Sequence, residues 1–205
     1  KFQIAEGIHG LIPLGSTGEF LSVTPDERRA IVETVVKTAA GRVPVLIGTG
    51  GEWTRDVVAM SREAEAQGAD GVMIIPPFYS VPTEDELYVH YKTVADAISI
   101  PIMVYNNPAT ANVDLLPETV ARLSTIEGCC YIKKSTLDVT RVRDIVRICG
   151  DRMTVFAGVL GFESFWLGAK GWVAVCSNVA PRLSAELFNA SVDRRDLGEG
   201  TAIHR

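Results

Sequence analysis

The sequence has few of the residues that build metal centres or disulfide frameworks. Its 205 residues include only three histidines and four cysteines. These are His9, His90 and His204, and Cys129, Cys130, Cys149 and Cys176. The histidines are far apart, and the cysteines form no CxxC pair and match no zinc-ligand spacing. We therefore expect reduced cysteines, no metal site and no cofactor, as in a cytoplasmic protein.

The sequence also lacks an excess of positive charge and a long apolar run. The 20 Lys and Arg residues are outnumbered by 25 Asp and Glu residues, so the formal net charge is -5. This balance offers no attraction to nucleic acid or to an anionic membrane surface. No apolar stretch approaches the roughly 18 residues of a membrane-spanning helix, and residues 1–7 lack the apolar core of a signal peptide. We expect neither nucleic acid nor a membrane as a partner.

Hydrophobic residues, which make up 47% of the chain, are concentrated in short runs rich in Val and Ile. Seven such runs predict β-strands that are buried on both faces, as the strands of parallel sheets are. The runs are Gly10–Gly15, Val43–Gly48, Gly71–Pro76, Ile100–Asn106, Cys130–Ser135, Thr154–Gly158 and Gly171–Ser177. Amphipathic helices are predicted between the strands. Two of these helices begin with a capping box, at Thr24–Glu27 and Thr83–Glu86.

The alternation of strand and helix predicts a single α/β domain. The early strands begin about 30 residues apart, which is the repeat of a (β/α)8 TIM barrel of about 250 residues. A doubly wound sheet is the structural alternative. It is disfavoured because no GxGxxG motif follows the first strand, as a dinucleotide-binding fold would require.

A TIM barrel has eight strands, whereas the sequence indicates seven. The chain opens on what reads as the end of a helix, Phe2–Glu6. A barrel that lacks one strand exposes two unpaired edges, so we expect the first strand to lie upstream of Lys1. The predicted organisation is strands two to eight of the barrel in residues 1–192, followed by the start of a truncated C-terminal segment in residues 193–205.

Active sites of TIM barrels lie at the carboxyl ends of the strands. The first predicted strand ends in the turn Gly15-Ser16-Thr17-Gly18, which precedes Glu19. Two glycines around two hydroxyl residues allow several backbone N–H groups and two O–H groups to bind one anion, such as the carboxylate of a keto acid. An ordinary βα turn with hydrogen-bonding hydroxyls is the alternative.

Two adjacent lysines, Lys133 and Lys134, occur in the predicted sixth barrel strand. Strand alternation places Lys133 on the face opposite Cys130 and Ile132, which suit packing against the outer helices. We predict that Lys133 points into the barrel, where desolvation would lower its pKa and make the neutral amine available as a nucleophile. Lys134 is expected to point outward and to extend to water. The alternative is that both lysines lie on a surface loop.

Tyr105 lies near the end of the fifth barrel strand and is followed by Asn106-Asn107-Pro108. A tyrosine at this place can relay protons near a Schiff base, although a lone tyrosine is more often a packing residue. Three segments, Gly-Ser-Thr-Gly-Glu, Tyr-Asn-x-Pro and Ile-Lys, occur here in the order and with the separations that resemble the dihydrodipicolinate synthase / N-acetylneuraminate lyase family. The resemblance runs from about residue 10 to residue 181.

The resemblance implies a TIM barrel and a class I lyase or aldolase that binds pyruvate or a related 2-keto acid as an imine and also takes an aldehyde. It implies that Lys133 forms the imine, that Tyr105 shuttles protons, and that Ser16 and Thr17 bind the keto-acid carboxylate, with one of them in the proton relay. Tyr79 matches a tyrosine that in some members reaches a neighbouring subunit's site, and the family is typically a homotetramer built as a dimer of dimers. The remaining predicted substrate-binding residues are Gly15, Gly18, Thr110 and Val173.

Two positions depart from the family pattern. An acidic residue usually follows the imine lysine, and here that position is Lys134. The added positive charge would lower the pKa of Lys133 further or would disturb the site. The synthase branch has an arginine two residues after the proline, where it binds the carboxylate of the second substrate. Here that position is Thr110, which argues against strict dihydrodipicolinate synthase activity.

Several functions therefore stay open. The first is a Schiff-base aldolase or lyase that acts on a 2-keto acid. A dehydratase of a 2-keto-3-deoxy sugar acid would use the same imine, and a true dihydrodipicolinate synthase is a third reading. A barrel that binds a keto acid without catalysis belongs to a different class, and the presence of the lysine, the tyrosine and the hydroxyl turn argues against it. The scattered histidines disfavour a metal-dependent aldolase.

Overall fold

The computed structural model describes all residues from Lys1 to Arg205 as an alternation of helices and parallel strands. The strands are β1 Leu46–Gly48, β2 Gly71–Ile74, β3 Ile102–Asn106, β4 Cys129–Lys134, β5 Thr154–Ala157 and β6 Gly171–Trp172. The α-helices are α1 Phe2–Ala5, α2 Pro25–Ala39, α3 Thr54–Ala66, α4 Glu84–Ala95, α5 Pro108–Ala111, α6 Pro117–Leu123, α7 Thr140–Cys149, α8 Gly161–Trp166, α9 Pro181–Phe188 and α10 Leu197–His204. Short 3-10 turns lie at Gly150–Arg152 and Val175–Asn178, and a π-helical turn lies at Asn189–Asp193. None of the helices combines the length and the hydropathy needed to cross a bilayer.

The six strands form one parallel sheet in which every strand pairs with the next along the chain. At least one helix returns the chain between successive strands, because parallel neighbours require a crossover. The order β1 to β6 is therefore that of a half-barrel and differs from a doubly wound sheet, in which the strand order reverses.

Two of the seven predicted strands are reduced to a single bridge or to two residues. The run Gly10–Gly15 contributes a single parallel bridge, between Leu11 and Val45. It does not continue because the chain turns at Leu14, whose φ is 60°. The last predicted strand, Gly171–Ser177, ends at Trp172, and a 3-10 turn follows. The expectation of seven full strands was wrong, and six strands with one bridge take their places.

Local sequence fixes the helix starts as predicted. Thr24 accepts a hydrogen bond from the amide of Glu27, whose carboxylate accepts one in return from the amide of Thr24. The same reciprocal pair joins Thr83 and Glu86 at the start of α4. Each capping box satisfies two N–H groups that a helix N-terminus would otherwise leave without partners. The two capping boxes are confirmed.

The sheet separates two apolar layers. The larger cluster lies between the sheet and the helices and includes Ile47, Val104 and Ile132. The smaller cluster lies on the other face of the same strands. It comprises Met73, Ile75, Met103, Tyr105 and Ala111, with Tyr131 and Phe156 packed against it. Because successive residues of β3 and β4 alternate between the clusters, both faces of the sheet are buried, as the continuous hydrophobic runs indicated.

The two ends of the sheet are connected through the N-terminal and C-terminal helices. Gln3 donates from Nε2 to Oδ1 of Asn178 at 2.8 Å, and Arg182 forms an ion pair with Glu6, also at 2.8 Å. These contacts join α1 to α9 and to the 3-10 turn that precedes it. The C-terminal helix α10 packs through His204, which stacks on Phe162 at 4.7 Å between ring centroids. The predicted boundary at residue 192 falls inside the π-helical turn and stays a prediction.

Candidate active site

A cavity of about 500 Å³ lies on the inner face of the sheet. Its walls include the inward side chains of four strands and, at one end, the turn that follows Leu14. Of the residues predicted from the sequence to bind or react, six line it: Gly15, Ser16, Thr17, Gly18, Lys133 and Val173. Segments that are more than 150 residues apart in the sequence therefore meet at one cavity.

Lys133 is the one lysine whose side chain enters this cavity from the middle of the sheet. Its neighbour Ile132 packs in the outer layer, which confirms the prediction that Lys133 faces inward. Only 7% of the residue is exposed. Burial lowers the pKa of Lys133, and the nearby phenol of Tyr105 offsets part of that effect. A larger fraction of neutral amine is the consequence, and only the neutral amine is nucleophilic.

Tyr105 faces Lys133 across the β3–β4 register, where the two residues are paired partners. The Nζ of Lys133 lies 4.0 Å from the centroid of the Tyr105 ring. Burial raises the pKa of Tyr105, but the charge of Lys133 and hydrogen bonds from Ser16, Ser135 and Asn107 outweigh it, so the pKa is lower than usual. A phenol with a lowered pKa is better suited to exchange a proton near neutral pH.

The turn at Gly15–Gly18 is held tightly against β1. Its own hydrogen bonds use two amides: Gly18 donates to the carbonyl of Gly15 at 3.0 Å, and Glu19 donates to that of Ser16 at 3.2 Å. The amides of Ser16 and Thr17 have no acceptor in the protein, and both residues are exposed at the cavity. The turn can therefore present two N–H groups and two hydroxyls to an anion.

Glycines at the ends of two strands, β1 and β5, make this arrangement possible. A Cβ at Gly48, the last residue of β1, would collide with the carbonyl oxygen of Leu14, so the turn could not approach the sheet. A Cβ at Gly158 would collide with the side chain of Ser135, which directly follows β4. The absence of side chains at both positions lets the turn and Ser135 lie close to Tyr105.

Lys134 does not reach water, and that prediction was wrong. It does lie on the outer face, but it is 0% exposed, because the loop after β4 folds back over it. Its ammonium group donates to the carbonyl of Thr136 at 2.7 Å. Burial lowers its pKa to about 8, with Asp138 opposing and Arg141 adding to that effect.

Three predicted site residues are not among those that line the cavity. One is Tyr105, which is buried beside Lys133, and the other two are exposed. Tyr79 is 87% exposed on a loop whose backbone is fixed by Glu52, which accepts hydrogen bonds from the amides of Phe78, Tyr79 and Ser80. Thr110 is an exposed residue of α5, and its hydroxyl donates weakly to the carbonyl of Asn107 at 3.4 Å. The chain does not bring either exposed residue to Lys133.

The sequence analysis missed the contact between Asn107 and the phenol of Tyr105, although Asn107 lies inside the Tyr-Asn-x-Pro motif. It also missed the apolar walls, which are formed by Met73, Met103, Tyr131 and Phe156. Strand parity could have found the walls, because all four alternate onto the inner face. No sequence signal shows where the side chain of Asn107 points. No group of three or more His, Cys, Asp or Glu side chains is arranged to hold a metal ion.

A buried lysine that faces the cavity of a parallel half-barrel is the arrangement expected of a Schiff-base lyase. The chain matches the model of the dihydrodipicolinate synthetase family over residues 1–197, and it belongs to that family. Its members are lyases of the Schiff-base aldolase type, and this chain is such a lyase.

Similar curated proteins carry one name. A 4-hydroxy-tetrahydrodipicolinate synthase from Thermodesulfovibrio yellowstonii is 37% identical over 206 residues, which cover 100% of this chain and 70% of the relative. One from Nitrobacter hamburgensis is 41% identical over 211 residues, covering 99% of this chain and 69% of the relative.

The structural neighbours agree in fold. A dihydrodipicolinate synthase from Aquifex aeolicus superposes with a TM-score of 0.94 at 36% identity, covering 99% of this chain and 70% of that one. YagE, an E. coli prophage protein of the same family in complex with pyruvate, superposes with a TM-score of 0.95 at 33% identity, again covering 99% and 70%.

Proposed function

We propose that the protein is a class I lyase that binds pyruvate or a related 2-keto acid as an imine on Lys133. The observation that carries the proposal is the position of the Lys133 amine: it is buried, faces a cavity and lies 4.0 Å from the ring centroid of Tyr105. The complex of YagE with pyruvate supports the choice of keto acid.

The proposed reaction begins when the neutral amine of Lys133 attacks the ketone carbon. A carbon–nitrogen bond forms, the ketone oxygen takes up a proton, and water leaves as the imine forms. The methyl carbon next to the imine then loses a proton to give an enamine, which attacks the carbonyl carbon of an aldehyde; cleavage is the reverse. Tyr105 is placed to donate and accept these protons, because its phenol adjoins the amine.

The turn after Leu14 is the proposed carboxylate site. The amides of Ser16 and Thr17 are unused by the protein and face the cavity that Lys133 enters. Two N–H donors and two hydroxyls match the acceptor oxygens of one carboxylate. We assign one of the two hydroxyls, that of Thr17, to the proton relay, and we assign Val173 to the apolar wall of the substrate site.

We also propose a complete (β/α)8 barrel in the functional protein, assembled as a homotetramer. The sheet has two edges that adjoin the cavity, at Leu11 and at Trp172, and one further strand would close it. Tyr79 presents an exposed aromatic ring on an ordered loop and would reach a neighbouring subunit's site. A monomeric dihydrodipicolinate synthase variant also superposes on this chain, with a TM-score of 0.94 at 32% identity, so light scattering must decide between the two states.

A second candidate is a true 4-hydroxy-tetrahydrodipicolinate synthase, which the names of the curated relatives favour. Against it stands Thr110, because an aldehyde with a carboxylate would lack a charge-assisted partner there. Thr110→Arg should raise activity toward aspartate semialdehyde by about 10- to 100-fold if Thr110 limits it. Efficient condensation by the unmodified protein would instead favour the synthase.

Borohydride trapping tests the proposal directly. The protein is incubated with pyruvate, reduced and digested, and the peptides are mapped by mass spectrometry. The expected result is a reduced pyruvyl adduct on Lys133. A panel of 2-keto acids and aldehydes, with product analysis, then assigns the second substrate. An adduct on Lys134, or on no lysine in a protein that retains its fold, would contradict the proposal.

A further inference from the structure

The side chain of Asn107 points toward the proposed acid–base residue rather than toward its own helix. Asn107 is the N-cap residue of α5, a position at which asparagine usually accepts a hydrogen bond from a helix amide. No such bond forms here. Its Nδ2 instead donates to the phenol oxygen of Tyr105 at 3.0 Å. The residue gives up a local interaction to make a contact with Tyr105.

The backbone around Asn107 fixes this orientation. Its carbonyl accepts hydrogen bonds from the amides of Thr110 and Ala111, both at 3.0 Å, and Pro108 occupies the first position of α5. On the preceding residue, the amide group of Asn106 is buried and bonds to both main-chain groups of Leu115. Asn107 is therefore held from both sides, and its side chain can be changed without removing these main-chain bonds.

We propose that Asn107 is a positioning residue for the reaction, whose amide donates to Tyr105 and thereby directs the phenol hydrogen toward the reacting groups. The inference rests on the proposed role of Tyr105 as the proton carrier. Asn107 itself carries no proton to the substrate, because an amide does not titrate near neutral pH.

The proposal depends on Asn107 being the donor, and Tyr105 the acceptor, of the hydrogen bond between them. A phenol has one hydrogen and acceptor lone pairs. When Asn107 occupies a lone pair, the hydrogen must go to another acceptor, and the polar side chains beside the phenol are Ser16, Ser135 and Lys133. The two serine hydroxyls can accept it, and Lys133, on β4, can accept it only as the neutral amine. An acceptor at position 107 would instead bind the phenol hydrogen and withdraw it from the site.

Two variants separate a donor from an acceptor. Asn107→Leu removes the donor with little change in volume, and Asn107→Asp replaces it by an acceptor. The pKa of Tyr105 is measured by ultraviolet titration. The chain has five tyrosines, so the titration of the same protein with Tyr105→Phe is subtracted to remove the signal of the other four. We expect the pKa to rise from the unmodified protein to the leucine variant and again to the aspartate variant.

The kinetic readout is the pH profile of turnover. Asn107→Leu should lower kcat by about tenfold, the factor that one hydrogen bond to an ionising group carries, with a smaller change in KM for pyruvate. Thr125→Val is the matched control, because its exposed hydroxyl bonds only to the carbonyl of Arg122. It loses one side-chain hydrogen bond far from the site and should leave the profile unchanged.

The outcomes separate this inference from the proposed function. Pyruvate trapping on Lys133 together with an unmoved Tyr105 pKa in both variants would overturn the role of Asn107 alone. Equal losses of kcat in both variants with an unmoved pH profile would have the same effect, since that pattern indicates a structural role. Failure of trapping in the unmodified protein would overturn the imine, while the tyrosine titration would still report the hydrogen bond.

Discussion

The two faces of β4 present adjacent lysines in opposite settings. Lys133 enters the cavity beside Tyr105, whereas Lys134 lies among the outer helices and donates to the carbonyl of Thr136. Burial lowers the pKa of both, and the value of about 8 belongs to Lys134. A lowered pKa therefore does not identify the nucleophile. Access to the cavity and a neighbouring tyrosine, which Lys133 has and Lys134 lacks, support the proposal that Lys133 is the nucleophile.

The outer lysine belongs to a polar network behind the strand ends. Arg141 on α7 donates from one terminal nitrogen to both carboxylate oxygens of Asp114, at 2.6 and 2.7 Å, and its Nε lies 3.6 Å from a carboxylate oxygen of Asp138. Asp114 also accepts from Asn106, which is paired with Lys134 in the β3–β4 register. The residues directly after Tyr105 and Lys133 are thus anchored on the outer face, which fixes the strand ends that carry the proposed chemistry.

Removal of each lysine should give the largest contrast between the two faces. Lys133→Ala should abolish both turnover and pyruvate trapping, because the other lysine that lines the cavity, Lys170, is exposed rather than buried. Lys134→Ala should keep the trapped adduct on Lys133, with any loss of turnover tracking a loss of stability. The measurements are peptide mapping after borohydride reduction and steady-state turnover. Trapping that moves with Lys134 would mean that the faces of β4 are exchanged.

Tyr105→Phe tests the proposed proton transfer on the inner face of β4 and should have the second-largest effect. Removing the phenol oxygen should lower turnover by about 10²–10⁴, the range for a lost acid–base group. The ring itself remains, so the packing around Lys133 and the ability to form the imine should be retained. Stopped-flow imine formation and steady-state turnover, measured side by side, separate the two steps. Unchanged turnover would remove Tyr105 from the mechanism and return it to a packing role.

The sequence predicted the face of each lysine better than its environment. Parity placed Lys133 inward because Cys130 and Ile132 suit the helix-facing layer. The packing agrees for Ile132, whereas Cys129 and not Cys130 belongs to the outer cluster. Parity could not place the loop from Ser135 to Asp138, whose return over the strand end buries Lys134. That burial depends on tertiary contacts and not on the alternation of side chains.

The same limit explains the other differences. Apolar runs located all the strands of the sheet, but a run does not show where pairing stops, as at Trp172, where a 3-10 turn begins within the run. The hydroxyl turn could be recognised from its glycines, whereas the direction of the Asn107 side chain could not. Residue type and strand alternation could be used for prediction, whereas the orientation of a side chain outside a strand, such as Asn107, could not be predicted.

The free energy of unfolding should depend on pH through Lys134, the lysine on the outer face of β4. The pKa of about 8 for folded Lys134 lies below its ordinary value of 10.5. Between these values the unfolded chain retains a proton that the folded protein has released, so Lys134 makes the free energy of unfolding rise with pH. The rise is at most about 1.4 kcal/mol per pH unit for one proton. The measurement is denaturant titration of the unmodified protein and of Lys134→Met at pH 7.5, 9 and 10. The free energy of unfolding of the unmodified protein should increase with pH relative to that of Lys134→Met. A constant difference would contradict the lowered pKa.

Asp138→Asn should have the smallest effect, a change of pKa that is confined to Lys134. The carboxylate of Asp138 raises the pKa of Lys134, so Asp138→Asn should lower that pKa further, and the effect should be small because the side chain of Asp138 is 52% exposed. The asparagine oxygen can still accept from the amide and hydroxyl of Thr140, as Asp138 does now. The start of α7 should therefore persist. Nuclear magnetic resonance of isotope-labelled lysine side chains can follow Lys133 and Lys134 separately. A pKa change confined to Lys134, with turnover unchanged, would establish that the lysines on the two faces of β4 titrate independently. A pKa change of Lys133 as large as that of Lys134 would show that the polar groups on the outer face affect Lys133 through the strand.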